Sequence, residues 1–171
     1  MKKIVIIGPE STGKSTLCEQ LATHYKTLWV PEYAREYLLK EGKKYTYDDL
    51  LVIAKKQLQA EDEYAAKTKE DFLFIDTNMY VMKVWCEFVF GRCHHWILDR
   101  IAERTYDYYL LCNADLPWVK DELREYPDLI SRLKLFHLYK DIVVNQPVPW
   151  KIISGDYDQR LASAISAIDL L

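Results

Sequence analysis

The sequence predicts a three-layer α/β fold, with a mainly parallel five-stranded sheet and helices on both of its faces. Three observations predict it. Short, wholly apolar runs at residues 4–7, 72–75 and 108–112 read as strands buried on both faces. Stretches with apolar residues at helical spacing alternate with those runs. The chemically unusual residues each follow a strand: residues 8–15 the first, Pro31 and Glu32 the second, Asp76 the third, residues 113–118 the fourth. In such a sheet ligands sit beyond the carboxyl ends of the strands, so these residues are expected to share a cleft.

The elements follow in order. After the first strand and its glycine loop, residues 15–25 carry Leu17, Cys18, Leu21, Ala22 and Tyr25 at helical spacing. Residues 28–30 form a short strand stopped by Pro31. Residues 32–40 read as a helix that Gly42 ends. A long helix spans 46–68, and its inner face, Leu50, Ile53, Ala54, Gln57, Leu58 and Glu61, grows polar toward its end. Helices at 81–90 and 96–104 follow the third strand. A polar, proline-marked connection at 113–128 follows the fourth. Residues 129–145 are helical, broken by Pro147 and Pro149. Residues 150–153 make the fifth strand and 157–170 the last helix. Right-handed crossovers would place these helices on both faces of the sheet.

The chain of 171 residues fits one domain, 1–171, in which residues of about 113–132 form a short lid. A net charge of -3 argues against a nucleic-acid partner, which calls for a basic face. The four cysteines lack C-x-x-C spacing and read as reduced thiols. The apolar run after Met1 is too short for a signal peptide, and no stretch has the length of a membrane span. A cytoplasmic protein that engages no membrane is expected, and its oligomeric state is left open.

Gly8-Pro9-Glu10-Ser11-Thr12-Gly13-Lys14-Ser15 matches G-x-x-x-x-G-K-[ST] between a buried strand and a helix, the setting of a P-loop NTPase fold. Its backbone N–H groups, with the helix N-terminus, would cradle the phosphates of ATP. Gly8, Glu10, Ser11, Thr12, Gly13, Lys14, Ser15 and Thr16 are the expected ATP contacts. Lys14 would reach the β- and γ-phosphates, and the Ser15 hydroxyl would ligate Mg²⁺. Asp76, ending the third strand, stands where a second Mg²⁺ acid is expected; the competing reading is a helix N-cap.

A phosphate loop leaves open what accepts the phosphoryl group. A carboxylate at Glu32 would take the proton of a substrate hydroxyl, and Tyr33 and Arg35 would face the substrate. The alternative is a solvated helix with paired charges. In residues 117–124, Arg124, with Arg132 in the next helix, would neutralise charge on the transferring phosphate, and Trp118 would stack on a base or anchor the lid. Surface charge is the alternative for both arginines.

Three segments together resemble the ribosylnicotinamide kinase domain of NadR-type proteins: the phosphate loop, Glu32-Tyr33-Ala34-Arg35-Glu36-Tyr37, and Pro117-Trp118-Val119-Lys120-Asp121-Glu122-Leu123-Arg124. The resemblance continues at Asp76-Thr77, at Arg132 and at Asp156-Tyr157-Asp158-Gln159-Arg160. It implies transfer of the ATP γ-phosphoryl group to the 5′-hydroxyl of nicotinamide riboside, with Glu32 at the acceptor and Trp118, Asp121 and Arg124 in the lid and cleft. A stand-alone form is expected, without the adenylyltransferase or DNA-binding parts of longer members. Asn78 stands where the family pattern often has Asp, which bears on substrate or rate. The alternatives are a nucleotide-binding regulatory ATPase and a kinase of another nucleoside.

Overall fold

The computed structural model describes residues 1–42 and 44–171. Five strands, β1 (Lys2–Ile7), β2 (Trp29–Val30), β3 (Phe72–Asp76), β4 (Tyr108–Cys112) and β5 (Trp150–Ile153), form one sheet in the order β2-β3-β1-β4-β5. Every pairing is parallel. Seven helices accompany them among the described residues: α1 (Lys14–Tyr25), α2 (Tyr33–Glu41), α3 (Tyr47–Lys67), α4 (Met79–Phe90), α5 (His95–Glu103), α6 (Leu129–Val144) and α7 (Tyr157–Ile168). The three-layer α/β expectation is borne out.

β1 shows why its sequence runs apolar without alternation. Ile4 and Ile6 pack on one face with Leu17 and Leu21 of α1 and Ala164 of α7. Val5 and Ile7 pack on the other with Val81 and Val84 of α4 and Phe136 of α6. Burial on both faces removes the polar half of the strand pattern. A third cluster joins α2, α3, α4 and α5 through Ala34, Ile53, Met82 and Ile97.

β1 lies between β3 and β4, and the chain crosses from one side of it to the other after β3. The carboxyl end of β1 is therefore the topological switch point, where a crevice opens. The glycine loop leaves the sheet there.

Differences from the expected elements lie at their ends, where capping and ladder bonds decide. β1 begins at Lys2 because the backbone ladder to Phe72 needs no apolar side chain. α4 begins at Met79, capped by Asn78, whose side chain accepts the Tyr80 N–H at 3.1 Å. The cap reading of Asp76 is thereby set aside: Asp76 belongs to β3 and Asn78 does the capping. Of residues 113–132, expected as a lid, 113–128 carry no helix or strand, and α6 starts at Leu129 with Asp128 as its cap. No helix among the described residues is long and apolar enough to cross a membrane.

The polar end of the α3 inner face also has a role. Glu61, 1% exposed, accepts bonds from Lys3 Nζ at 2.9 Å and from the Tyr106 hydroxyl at 2.9 Å, with Arg104 Nη1 at 3.6 Å. It ties α3 to β1 and to the segment entering β4. Glu61→Ala leaves the buried end of this network unpaired and is expected to lower unfolding free energy by about 3 kcal/mol. Urea denaturation measures it, and a loss below about 1 kcal/mol contradicts the assignment.

Candidate active site

Residues 8–15 form the turn from β1 into α1. Gly8 has φ 148°, and a Cβ there would lie 2.6 Å from the Cys112 carbonyl oxygen, so no side chain fits. The loop's carbonyls are held by side chains. Pro9 O accepts Thr12 Oγ1 at 2.8 Å and Lys14 Nζ at 3.0 Å. Ser11 O accepts Arg132 Nη2 at 3.1 Å, and Thr12 O accepts Arg160 Nη1 at 3.1 Å. Both arginines are buried. Arg160 also donates to the carbonyls of Gly155 and Asn113 and pairs with Asp115, joining the loop to the ends of β4 and β5. A loop braced by its carbonyls at a helix N-terminus presents N–H groups to an anion.

Two carboxyl groups stand beside Lys14. Asp76, fully buried, accepts the Ser15 hydroxyl on Oδ2 at 2.5 Å. Its Oδ1 is buried with no hydrogen-bond partner among the described residues. Glu32 precedes α2. Burial, then the charge of Asp76, pushes the Glu32 carboxyl up to about 7, with Lys14 and Arg35 opposing. Burial likewise raises Asp76, against Lys14 and the Ser15 hydroxyl. A like charge beside a carboxyl in a poorly solvated site raises it in this way.

Gln57 of α3 holds the strand ends that carry these groups. Its Oε1 accepts the Tyr33 N–H at 2.7 Å, and its Nε2 donates to Pro31 O at 3.3 Å and Asp76 O at 3.5 Å. Next to Asp76, Thr77 adopts φ 69°, a left-handed conformation that costs a non-glycine residue about 1 kcal/mol. Its N–H donates to Ile6 O at 3.1 Å, which fixes the end of β3 against β1.

The lid is tied to the phosphate loop. The Glu10 carboxylate accepts the backbone N–H groups of Glu125 and Tyr126 at 3.0 and 3.1 Å. The Ser11 hydroxyl accepts the Val119 N–H at 3.0 Å. Arg35 of α2 makes two bonds to Asp121, at 3.2 and 3.0 Å, and Arg124 Nη1 donates to Val119 O at 2.5 Å.

Between loop, lid, α2 and α4 lies a cavity of about 400 Å³. Of the sequence-predicted residues, Gly8, residues 10–16, Glu32, Arg35 and Arg124 line it. Asp76 stands behind Ser15, buried. Four others are elsewhere. Tyr33 packs in the third core cluster. Asp121 faces Arg35, and Arg132 is spent on the carbonyls of Ser11 and Leu116. Trp118 is half-buried in the lid, off the cavity wall, where Val119 stands instead. The aromatic wall that the sequence did not reveal is Tyr45, Trp85, Phe88 and Tyr126, while Tyr157 stands against Gly13 of the phosphate loop. Only the 81, 85, 88 spacing of Val81, Trp85 and Phe88 on α4 carried a signal for it. Arg160 and Gln57 gave none beyond their place in the chain.

A strand, a glycine loop braced at a helix N-terminus and a buried acid on the neighbouring strand together define a P-loop domain. Residues 3–160 match the family model described as AAA domain, and the chain belongs to that family. Two curated relatives, the trifunctional NAD biosynthesis/regulator proteins NadR of Escherichia coli (strain K12) and Salmonella typhimurium (strain LT2), are each 28% identical over 173 residues. The match takes in 98% of this chain and 42% of each relative, so the chain spans less than half their length.

Among solved structures, a NadR protein in complex with NR superposes with a TM-score of 0.81 at 23% identity, over 98% of this chain and 50% of that one. A deoxyadenosine kinase from M. mycoides gives 0.62 at 14% identity, covering 99% of this chain and all of that one. A thymidylate kinase from Ehrlichia chaffeensis gives 0.66 at 14%, covering 99% and 97%. These likenesses establish the fold, and the resemblance noted from the three segments extends over nearly the whole chain.

Gln57→Leu strands the Tyr33 N–H and the Pro31 and Asp76 carbonyls and is expected to cost about 2–3 kcal/mol of stability. Gln59→Leu, on the exposed face of the same helix, should stay within about 0.5 kcal/mol. Equal effects in paired urea titrations contradict the bracing role.

Proposed function

We propose that this chain, as one domain over residues 1–171, is an ATP- and Mg²⁺-dependent kinase that phosphorylates nicotinamide riboside to nicotinamide mononucleotide. The observation that carries the reading is the convergence of three parts on one cavity: the phosphate loop, a carboxyl poised near neutrality at Glu32, and a wall of aromatic side chains. The likeness to NadR proteins over nearly the whole chain supports the acceptor.

Residues 8 and 10–16 would hold the triphosphate, with Lys14 at its β- and γ-phosphates. The residues present fit Mg²⁺: Ser15 Oγ and the Asp76 carboxylate, in contact through Oδ2 and with Oδ1 unpartnered among the described residues, are hard oxygen donors. Bound there, the ion would neutralise phosphate charge. Glu32 accepts the proton of the acceptor hydroxyl, and a titration near 7 suits a general base at neutral pH. Arg124 of the lid and Arg35 offset charge on the transferring group. Asp121 positions Arg35, and Arg132 braces the loop from behind. Trp118 anchors the lid, while the base rests on the aromatic wall.

The direct test is ADP release with nicotinamide riboside against a panel of other nucleosides. Stimulation by the riboside above all others is expected. Slow ATP hydrolysis indifferent to every nucleoside would instead identify a nucleotide-binding regulator.

The base assignment predicts the pH behaviour. Glu32 must be ionised to act, so transfer falls as pH drops through about 7. Its raised carboxyl binds a proton more tightly folded than unfolded, so its ionisation costs stability as pH rises from about 4.5 to about 7. Glu32→Gln is expected to cut kcat at least about 100-fold, to leave ATP affinity intact and to raise Tm at pH 8. Parallel loss of ATP binding and turnover would show that Glu32 belongs to the nucleotide site.

A further inference from the structure

The nicotinamide ring of the riboside proposed above carries a fixed positive charge, because its ring nitrogen is alkylated. Adenine, uracil and most other bases are neutral at pH 7. A site that takes this acceptor has a charge to recognise as well as a ring.

Glu10, Glu32, Glu122 and Glu125 all line the cavity, and among the described residues Glu125 is the one whose carboxylate bonds an aromatic side chain of its wall. Trp85 Nε1–H donates to the Tyr45 hydroxyl oxygen at 2.9 Å, and the Tyr45 hydroxyl donates to Glu125 Oε2 at 2.9 Å. The ring of Tyr45 meets that of Trp85 edge-on, with centroids 5.0 Å apart. Tyr45 has a single hydroxyl proton, and the carboxylate takes it. The backbone of Glu125 is fixed as well, since its N–H is held by the Glu10 carboxylate at 3.0 Å. Glu125, Tyr45 and Trp85 all line the cavity, with Phe88 and Tyr126 in edge-to-face contact at 5.2 Å beside them.

The nearby lid and α2 cations have other partners. Arg35 pairs with Asp121, and Arg124 donates to the Val119 carbonyl. Aromatic rings around a carboxylate are the chemistry that takes an organic cation: the π faces supply negative potential and the carboxylate a full charge.

On the nicotinamide riboside reading, we infer that Glu125, oriented by the Tyr45 hydroxyl, selects a cationic pyridinium base over neutral bases of the same shape. The lid thereby delivers a specificity determinant as well as a cover. Removing the carboxylate removes the preference for charge, while the aromatic wall continues to accept a flat ring.

The experiment compares nicotinamide riboside with its 1,4-dihydro form, which has the same ribose and carboxamide but no ring charge. Steady-state kcat/KM is measured for both with the unaltered chain, Glu125→Gln and Tyr45→Phe. Glu125→Gln is expected to lower the ratio of charged over neutral acceptor about 10- to 50-fold, chiefly through KM. Tyr45→Phe, which removes the bond that orients the carboxylate together with the acceptor of Trp85 Nε1–H and leaves the carboxylate in place, should lower it in the same direction by less. A ratio that stays within about twofold in Glu125→Gln overturns the inference while leaving the kinase reading in place. If the unaltered chain phosphorylates neither form, the kinase reading falls and the inference with it.

Discussion

The close passage of the backbone at Gly8 beside the end of β4 is the constraint on which the site depends. A Cβ at this position would stand 2.6 Å from the Cys112 carbonyl oxygen and 3.2 Å from the Cys112 side chain. Because nothing but hydrogen intervenes, the phosphate loop starts hard against the strand from which the lid departs. Arg160 then bonds both sides of that junction, through Thr12 O on the loop and Asn113 O on the strand end. Loop, lid and the β5–α7 turn are in this way set relative to one another by one glycine and one buried arginine.

That frame allows the site to carry charge that the fold would otherwise expel. Asp76 is fully buried and Glu32 half-buried, and Lys14 is the largest opposing charge on both. The arrangement is unfavourable for folding and favourable for chemistry, since a carboxyl raised toward 7 both holds and releases a proton at physiological pH. The strained backbone at Thr77 and Ser11, both left-handed, lies at the same place. Gln57 and the parallel ladder between β1 and β3 supply the rigidity that keeps these groups together.

The fold and the phosphate loop were legible because their signals are local. Strand burial shows in four consecutive residues, and the loop's glycines, lysine and serine stand at fixed offsets with a strand before and a helix after. The aromatic wall was not legible, because it is assembled from distant pieces: Tyr45 before α3, Trp85 and Phe88 on α4, Glu125 and Tyr126 between β4 and α6. No spacing rule joins residues 40 and 80 apart. Tyr33, Trp118 and Arg132 illustrate the same limit from the other direction. Each lies close to the cleft in sequence terms, yet the direction of its side chain is set by tertiary packing, which turns Tyr33 into the third core and Arg132 behind the loop. Asn78, read as a departure from a family acid, has a structural role here: it caps α4 and donates to the Tyr109 hydroxyl at 3.2 Å.

Glu10 and Ser11 connect these two halves of the site. Both belong to the phosphate-binding turn, and both spend their side chains on lid backbone. Burial raises the Glu10 carboxyl, while the two lid N–H groups and Lys14 pull it down, so the lid bonds themselves favour its charged form. On the same segment the Glu125 carboxylate accepts the Tyr45 hydroxyl, so the β4–α6 connection is bonded to the loop on one side and to the aromatic wall on the other. The loop and the aromatic wall are thus joined through one segment, whose backbone the loop's side chains hold in place.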